Sequence, residues 1–204
     1  NVLGEDRKML RSRSGDSGKL VDLLDEAVER ATAAVAEKNP DLDDAERARV
    51  AHMIGIGAVK YADLSTDRIR DYVFDWDRML AFDGNTAPYL QYAHARIRSI
   101  FRRAADDGIE MTSPRIVEPA ERALALALLS HGSVVADSIA GNAPHRLCTH
   151  LFELAQRFTS FYEQCPVLKA DPEVRGERLA LCDLVARTLA HGLGLLGIDA
   201  PERM

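Results

Sequence analysis

A basic segment in the middle of the chain holds the residues best suited to chemistry. Residues 86–104 contain four arginines and no acidic residue, although the 204-residue chain carries a formal net charge of −6. At helical spacing Tyr92 and Arg96 lie one turn apart on the same face. Such a tyrosine can stack on an unpaired base while the arginine binds a phosphate or a base edge. The alternative is a solvated basic face with a half-buried tyrosine, and the helix alone favours that alternative.

Local signals predict where this helix begins and ends. Asp83-Gly84-Asn85 is typical of a turn, because glycine and asparagine tolerate positive φ. Thr86 is the predicted N-cap, and Pro88 fits the first turn, where its missing N–H costs nothing. Gly108 is the predicted stop.

A second group of cations lies near the start, within a polar segment that has no hydrophobic period. Lys8, Arg11 and Arg13 are spaced so that a flexible loop could bring them to a polyphosphate. A frayed basic terminus is the simpler interpretation of these residues in isolation.

Hydrophobic periodicity predicts an all-α protein of seven or eight helices. The second half of the chain is expected to form a compact helical bundle. The run around Leu124 to Leu129 is apolar on most sides, which predicts deep packing. Residues 65–76 show both helix and strand character. The longer helices are expected at about 19–38, 43–60, 86–107, 144–167 and 171–195.

Composition bounds the function class. The chain is 47% apolar and 28% charged, which is typical of a soluble globular protein. No run of roughly 18 apolar residues stands out, so we expect neither a transmembrane helix nor contact with a membrane. The three cysteines, an odd number, fit a reducing cytosol rather than a disulfide framework, and no metal site is expected. The first residue is Asn1 rather than methionine, which suggests a fragment or a processed chain.

Several motifs then resemble one family. GNTAPYLQYAHARIRSI (residues 84–100) resembles the segment that joins the catalytic body to the anticodon-binding domain in arginyl-tRNA synthetases. GEDRKMLRSRSGDSGKLVDLLDEAVERA (residues 4–31) resembles the family's signature loop and the helix after it. VKYADLS, DYVFDWDRML and the terminal LGLLGIDAPERM follow in the family's order, so the resemblance covers nearly the whole chain.

The resemblance implies an ATP-dependent arginine–tRNA ligase of class I. Residues 1–80 would be the C-terminal part of the catalytic body, and residues 81–204 a DALR-type anticodon-binding helical bundle. Lys8, Arg11 and Arg13 would belong to the KMSKS-like loop that stabilises the ATP phosphates. This loop departs from the consensus, which leaves open which of the three cations meets the phosphates. ATP with magnesium and arginine would bind mainly through an upstream part, where the HIGH motif lies.

The resemblance also implies which residues contact tRNA. Tyr92 and Arg96 match the family's YxxxR pair, Tyr162 matches the aromatic residue of its FYExC segment, and Met204 matches its terminal methionine. The alternative for each is structural: Tyr162 could belong to the core, and Arg96 could pair with a helix C-terminus. The implied partner is arginine tRNA, and the expected state is a cytoplasmic monomer.

Two competing interpretations stay open at this point. The same fold could serve as a stand-alone tRNA- or RNA-binding module without catalysis, or as a helical interaction domain without RNA. The signature-like loop favours the ligase, because a free binding module would have no use for it.

We expect the 204-residue chain to be inactive alone. Its sequence contains no HIGH motif and no phosphate-cradling glycine loop, so it lacks the substrate pockets. Arginine-dependent ATP–pyrophosphate exchange by the purified chain measures this directly, and detectable exchange would contradict the expectation.

Overall fold

Helices dominate the computed structural model of the chain, which describes residues 2–3 and 20–204. The described residues form eight α-helices and one pair of two-residue strands, so the all-α prediction is confirmed. The elements are β1 (Val2–Leu3), α1 (Leu20–Lys38), α2 (Asp44–Leu64), β2 (Tyr72–Val73), α3 (Trp76–Met79), α4 (Ala87–Asp106), α5 (Pro119–Leu129), α6 (His131–Ala140), α7 (Pro144–Gln164) and α8 (Pro172–Leu195).

Helix boundaries follow local signals in most places. Asp43 caps α2 by accepting a hydrogen bond from the Glu46 N–H at 2.7 Å. Helix α2 continues to Leu64, one turn beyond its predicted end, because glycine inside a helix weakens it without stopping it. The ambiguous residues 65–76 contain β2, which pairs in parallel with β1, and the first residue of α3.

The main core lies between α4, α7 and α8. Its centre is formed by fully buried leucine, isoleucine and phenylalanine side chains: Leu90, Ile97, Leu151, Leu154, Phe158, Phe161 and Leu189. A second, smaller core lies between α1 and α2. Helix α2 also packs against α4, so the α1–α2 pair sits directly beside the bundle.

Tyr61 joins α2 to the bundle. Its ring is 1% exposed, and its hydroxyl lies 2.9 Å from the carbonyl oxygen of Cys148 and 2.6 Å from Oδ1 of Asn85. Burial raises the pKa of this phenol, so it stays protonated and available as a donor. Asn85 therefore helps to fix the turn before α4 against α2.

The prediction of deep packing for α5 is wrong. Leu124 is fully buried, but Leu126 is 56% and Leu129 81% exposed. Only one stripe of α5 meets α7, and an apolar composition on the remaining sides does not by itself bury them. By length and composition alone, the run Pro119–Ala140 could cross a membrane, although we expected no such run.

Three histidines meet where α6, α7 and α8 come together. Nε2 of His131 lies 3.0 Å from Nδ1 of His191, and the rings of His131 and His150 have centroids 5.3 Å apart. Burial lowers the pKa of His131 and of His150, and the neighbouring imidazoles lower that of His131 further.

We expect the free energy of unfolding to fall as the pH drops below about 6.5. In that range the unfolded chain binds protons that the buried imidazoles do not, so acid favours unfolding. Urea titrations at pH 7.5 and 5.5 measure the difference, which His131→Gln combined with His150→Gln should reduce. His94, whose pKa burial also lowers, should leave a residual slope. His52→Gln, at an exposed histidine, is the control and should leave this difference unchanged. The expectation would be contradicted if the double variant lost as much free energy of unfolding between pH 7.5 and 5.5 as the wild type.

Gly55 should be needed for the close packing of α1 on α2. A Cβ at this position would lie 2.7 Å from backbone atoms of Ala27 and Val28, which cannot move without shifting α1. We expect Gly55→Ala to lower the free energy of unfolding by about 2 kcal/mol. Gly194→Ala is the matched control, because no atom beyond its chain neighbours and the adjacent backbone of its own helix lies within 4 Å of its Cβ position, and it should be neutral or slightly stabilising. Equal midpoints of urea unfolding for the two variants would contradict this expectation.

Candidate RNA interface

The N-terminus of α4 sets the direction of its basic face. Thr86 adopts an extended conformation, and its Oγ1 accepts a hydrogen bond from the Tyr89 N–H at 3.2 Å. Pro88 stands in the first turn, as predicted. This start fixes the helical register, so Tyr92 and Arg96 lie one turn apart on one face.

Arg96 covers an aromatic ring from the next long helix. Its guanidinium carbon lies 4.6 Å from the ring centroid of Tyr162 on α7, which is a cation–π distance. Tyr162 is half-buried and also contacts Phe158, with ring centroids 6.0 Å apart. The contact holds the flat guanidinium in place while its N–H donors remain directed at the surroundings.

A cavity of about 370 Å³ lies beside α4. It is lined by Tyr92 and Arg96 of α4, by the connection between α1 and α2, and by the C-terminal residues. Tyr92 is 44% exposed, so part of its ring can be reached by a ligand. The polar and terminal residues that line the cavity are Asn39, Asp41, Ser99, Arg102, Arg203 and Met204.

Positive charge dominates this cavity. Among the side chains that line it, Arg96, Arg102 and Arg203 carry positive charge and Asp41 carries negative charge. Arg102 donates to the backbone carbonyl of Glu202 at 3.1 Å, and in the described part of the chain none of the three arginines is paired with a carboxylate. A concave surface with an open aromatic ring and several guanidinium groups can hold a base by stacking and a phosphate by charge.

The structure brings the predicted residues of this region together. Tyr92, Arg96 and Met204 line the same cavity, and Tyr162 joins them through its contact with Arg96. Lys8, Arg11 and Arg13 lie outside the described residues. Their predicted role therefore stays a prediction, as do the RNA contacts of the other four.

The cysteines are not part of this site. All three are buried and free, and burial raises the pKa of Cys148 and of Cys182 to about 12. They are inert as nucleophiles at neutral pH. Within residues 2–3 and 20–204 no three histidine, cysteine or acidic side chains are arranged to hold a metal ion.

The chain is similar to known proteins along most of its length. Residues 90–204 match the DALR anticodon binding domain, and residues 1–76 match the catalytic domain of class I tRNA synthetases (R). Arginine–tRNA ligase of Thermobifida fusca (strain YX) is 61% identical over 206 residues, and that of Frankia casuarinae is 57% identical over 203 residues. The chain belongs to the arginyl-tRNA synthetase family.

Solved structures of the family share the fold. Arginyl-tRNA synthetase of Thermus thermophilus matches the whole chain with a TM-score of 0.89 and 39% identity. That of Plasmodium falciparum matches 91% of it with a TM-score of 0.80 and 29% identity. The chain spans about a third of the length of these proteins: 36% and 34% of the two ligases, and 34% of each solved structure.

Sequence reasoning missed part of the cavity in this member of the arginyl-tRNA synthetase family. None of Asn39, Asp41 and Arg102 was singled out from the sequence, although all three line the cavity. Asn39 and Asp41 are more than 50 residues from Tyr92 in the sequence, and nothing in their local pattern indicates that they face it. The lack of acidic residues near Arg102 was the one available signal for that side chain.

Proposed function

We propose that this chain is the tRNA anticodon-binding part of an arginine–tRNA ligase. In the proposed reaction ATP activates arginine as an adenylate, and the 3′ end of the tRNA then takes the arginyl group. Residues 81–204 would bind the anticodon loop, and residues 1–80 would complete the catalytic body. The observation that carries the proposal is the convergence of Tyr92, Arg96 and the C-terminal residues on one positively charged cavity.

The chemistry of the cavity supports an unpaired RNA loop as the ligand. Sequence-specific recognition of RNA works best on splayed bases, which can stack on aromatic rings and expose their edges. Tyr92 would offer a stacking surface, Tyr162 a second one behind Arg96, and the guanidinium groups would contact base edges or phosphates. Met204 would provide an apolar contact at the cavity wall.

ATP enters the proposal through a different part of the chain. Lys8, Arg11 and Arg13 would stabilise its phosphates, and magnesium and arginine would bind to the part of the protein that this chain does not span. The match of residues 1–76 to a class I catalytic domain favours the ligase over a stand-alone RNA-binding module. We further propose a cytoplasmic monomer that does not contact a membrane.

Arg96→Ala and Tyr162→Ala should each weaken binding of the chain to arginine tRNA by about tenfold. The first removes a cation from the cavity, and the second removes a stacking ring and the support of Arg96. Fluorescence anisotropy at two salt concentrations, with a noncognate tRNA alongside, measures affinity and selectivity. Arg96→Ala should also reduce the dependence of log K on log salt by up to about one.

Two variants separate the site from general effects of charge and folding. Arg187→Ala removes an exposed arginine of α8 that lines no part of the cavity, and it should leave binding unchanged. Arg96→Lys keeps the charge but loses the flat stacking group, so it should fall between wild type and Arg96→Ala. Equal weakening by Arg187→Ala and Arg96→Ala would contradict the proposed site.

A further inference from the structure

The C-terminal tail, residues 198–204, lies along α4 and is held there by side chains of that helix. After Gly197, whose φ is +69°, the tail has no regular secondary structure, and its backbone carbonyls accept from α4 instead. Nε2 of Gln91 donates to the carbonyl of Asp199 at 2.8 Å, and Nδ1 of His94 lies 2.9 Å from the carbonyl oxygen of Pro201.

Two arginines of α4 also bind the tail. Arg102 donates to the carbonyl of Glu202 at 3.1 Å, and Nε of Arg98 donates to the Glu202 carboxylate at 2.6 Å. Positions 91, 94, 98 and 102 are three or four residues apart, which places them along one side of a helix. The tail therefore runs in the same direction as α4 and ends near the middle of the basic face.

The contacts between α4 and the tail differ in burial. Gln91 is 0% and His94 is 4% exposed, whereas the pair formed by Arg98 and Glu202 is open to solvent. Solvent-exposed ion pairs contribute little, so the inner hydrogen bonds determine where the tail lies. A buried polar group on a helix costs free energy unless it is hydrogen-bonded. Nε2 of Gln91 and Nδ1 of His94 find acceptors in the tail, whereas Oε1 of Gln91 is buried without a partner.

Gln91 also ties the tail to α2. Its Nε2 donates a second hydrogen bond, to the carbonyl of Met53 at 3.1 Å. Gly57 makes this approach possible, because a Cβ there would lie 3.0 Å from Nε2 of Gln91 and 3.1 Å from a methyl group of Ile198. One amide thus connects α2, α4 and the tail.

The tail ends in the cavity. Arg203 and Met204 line it together with Tyr92 and Arg96, and Met204 also packs against the core of the α1–α2 pair. We propose that Gln91 and His94 are positioning residues for RNA binding: they hold the tail on α4 so that Arg203 and Met204 complete the cavity. The inference rests on the proposed function, because it assigns these two residues a role in that same site.

The chemistry at His94 defines a conservative test. A carbonyl oxygen only accepts, so Nδ1 of His94 must carry the proton that it donates to Pro201. Asparagine places an N–H donor close to the position of Nδ1, whereas leucine fills the space without a donor. His94→Asn should therefore keep the tail in place, and His94→Leu should release it.

The experiment measures arginine tRNA binding in a cycle of four chains: wild type, His94→Leu, a chain ending at Glu202, and the two changes combined. Removing Arg203 and Met204 should weaken binding by about tenfold, and His94→Leu should weaken it by a similar factor. In the chain ending at Glu202, His94→Leu should have little further effect, since the residues that it positions are gone. His94→Asn should bind within about twofold of wild type.

A second readout follows the tail without RNA. The ¹³C-methyl signal of Met204, assigned with Met204→Leu, should shift toward a mobile methionine in His94→Leu and stay in place in His94→Asn. Should His94→Leu fail to fold, Gln91→Met removes the hydrogen bond to Asp199 at nearly constant volume and serves the same cycle.

The outcomes separate the inference from the proposed function. Equal weakening by His94→Leu in the long and the shortened chain would overturn the positioning role, as would unchanged RNA binding despite a released tail. If wild type binds no tRNA while the Met204 signal still responds to His94→Leu, the proposed function fails. In that case Gln91 and His94 would still hold the tail on α4, but they would have no role in RNA binding.

Discussion

Three sides of helix α4 face different surroundings: the main core, the C-terminal tail and the cavity. The rest of the structure depends on this constraint. One side carries the buried Leu90 and Ile97 into the main core, and a second holds the tail through Gln91 and His94. The third presents Arg96 to the cavity. Since each residue turns the helix by about 100°, a shift of one residue would bury the arginine and expose the core. The cap at Thr86 is therefore more than a local feature, because it fixes the register for all three sides.

A buried ion pair holds the bundle behind this helix in a similarly specific way. The Glu121 carboxylate is 2% exposed, accepts from the N–H groups of Val117 and Glu118, and pairs with Nε of Arg178 at 2.8 Å. Burial alone would raise the pKa of Glu121, but these donors outweigh it and hold the pKa below its usual range. The charge therefore stays in place at neutral pH, joining the start of α5 to α8. Replacing such a pair with apolar residues need not destabilise a protein, so the pair by itself is not evidence for a stable bundle.

What the sequence could predict was local, and what it could not predict was long-range. The cap at Thr86 and the stop at Gly108 depend on a few neighbouring residues, so residue type alone indicates them. The exposure of Leu129 was missed, because an apolar helix does not reveal which of its sides has a partner. The sequence did not predict that Asn39 and Tyr92 line the same cavity. Their arrangement arises from the packing of α2 against α4, which no short pattern encodes. Tyr92 and Arg96 could be singled out because their spacing and the local reversal of charge both lie within one helix.

Under the proposed function, the charge distribution would suit a binding site for a particular RNA rather than for nucleic acid in general. A net charge of −6 disfavours nonspecific binding of nucleic acid, because such binding depends on neutralising phosphates. The cavity reverses the sign locally with Arg96, Arg102 and Arg203, and within a Debye length of about 8 Å this local field matters more than the distant acidic residues. Its positive groups come from two separate parts of the chain, since Arg203 lies in the tail and the other two on α4. Under the proposed function, a correctly placed tail is then a condition for the field as well as for the shape of the cavity. An RNA loop that fits both would bind, and one that meets only the charge would gain little.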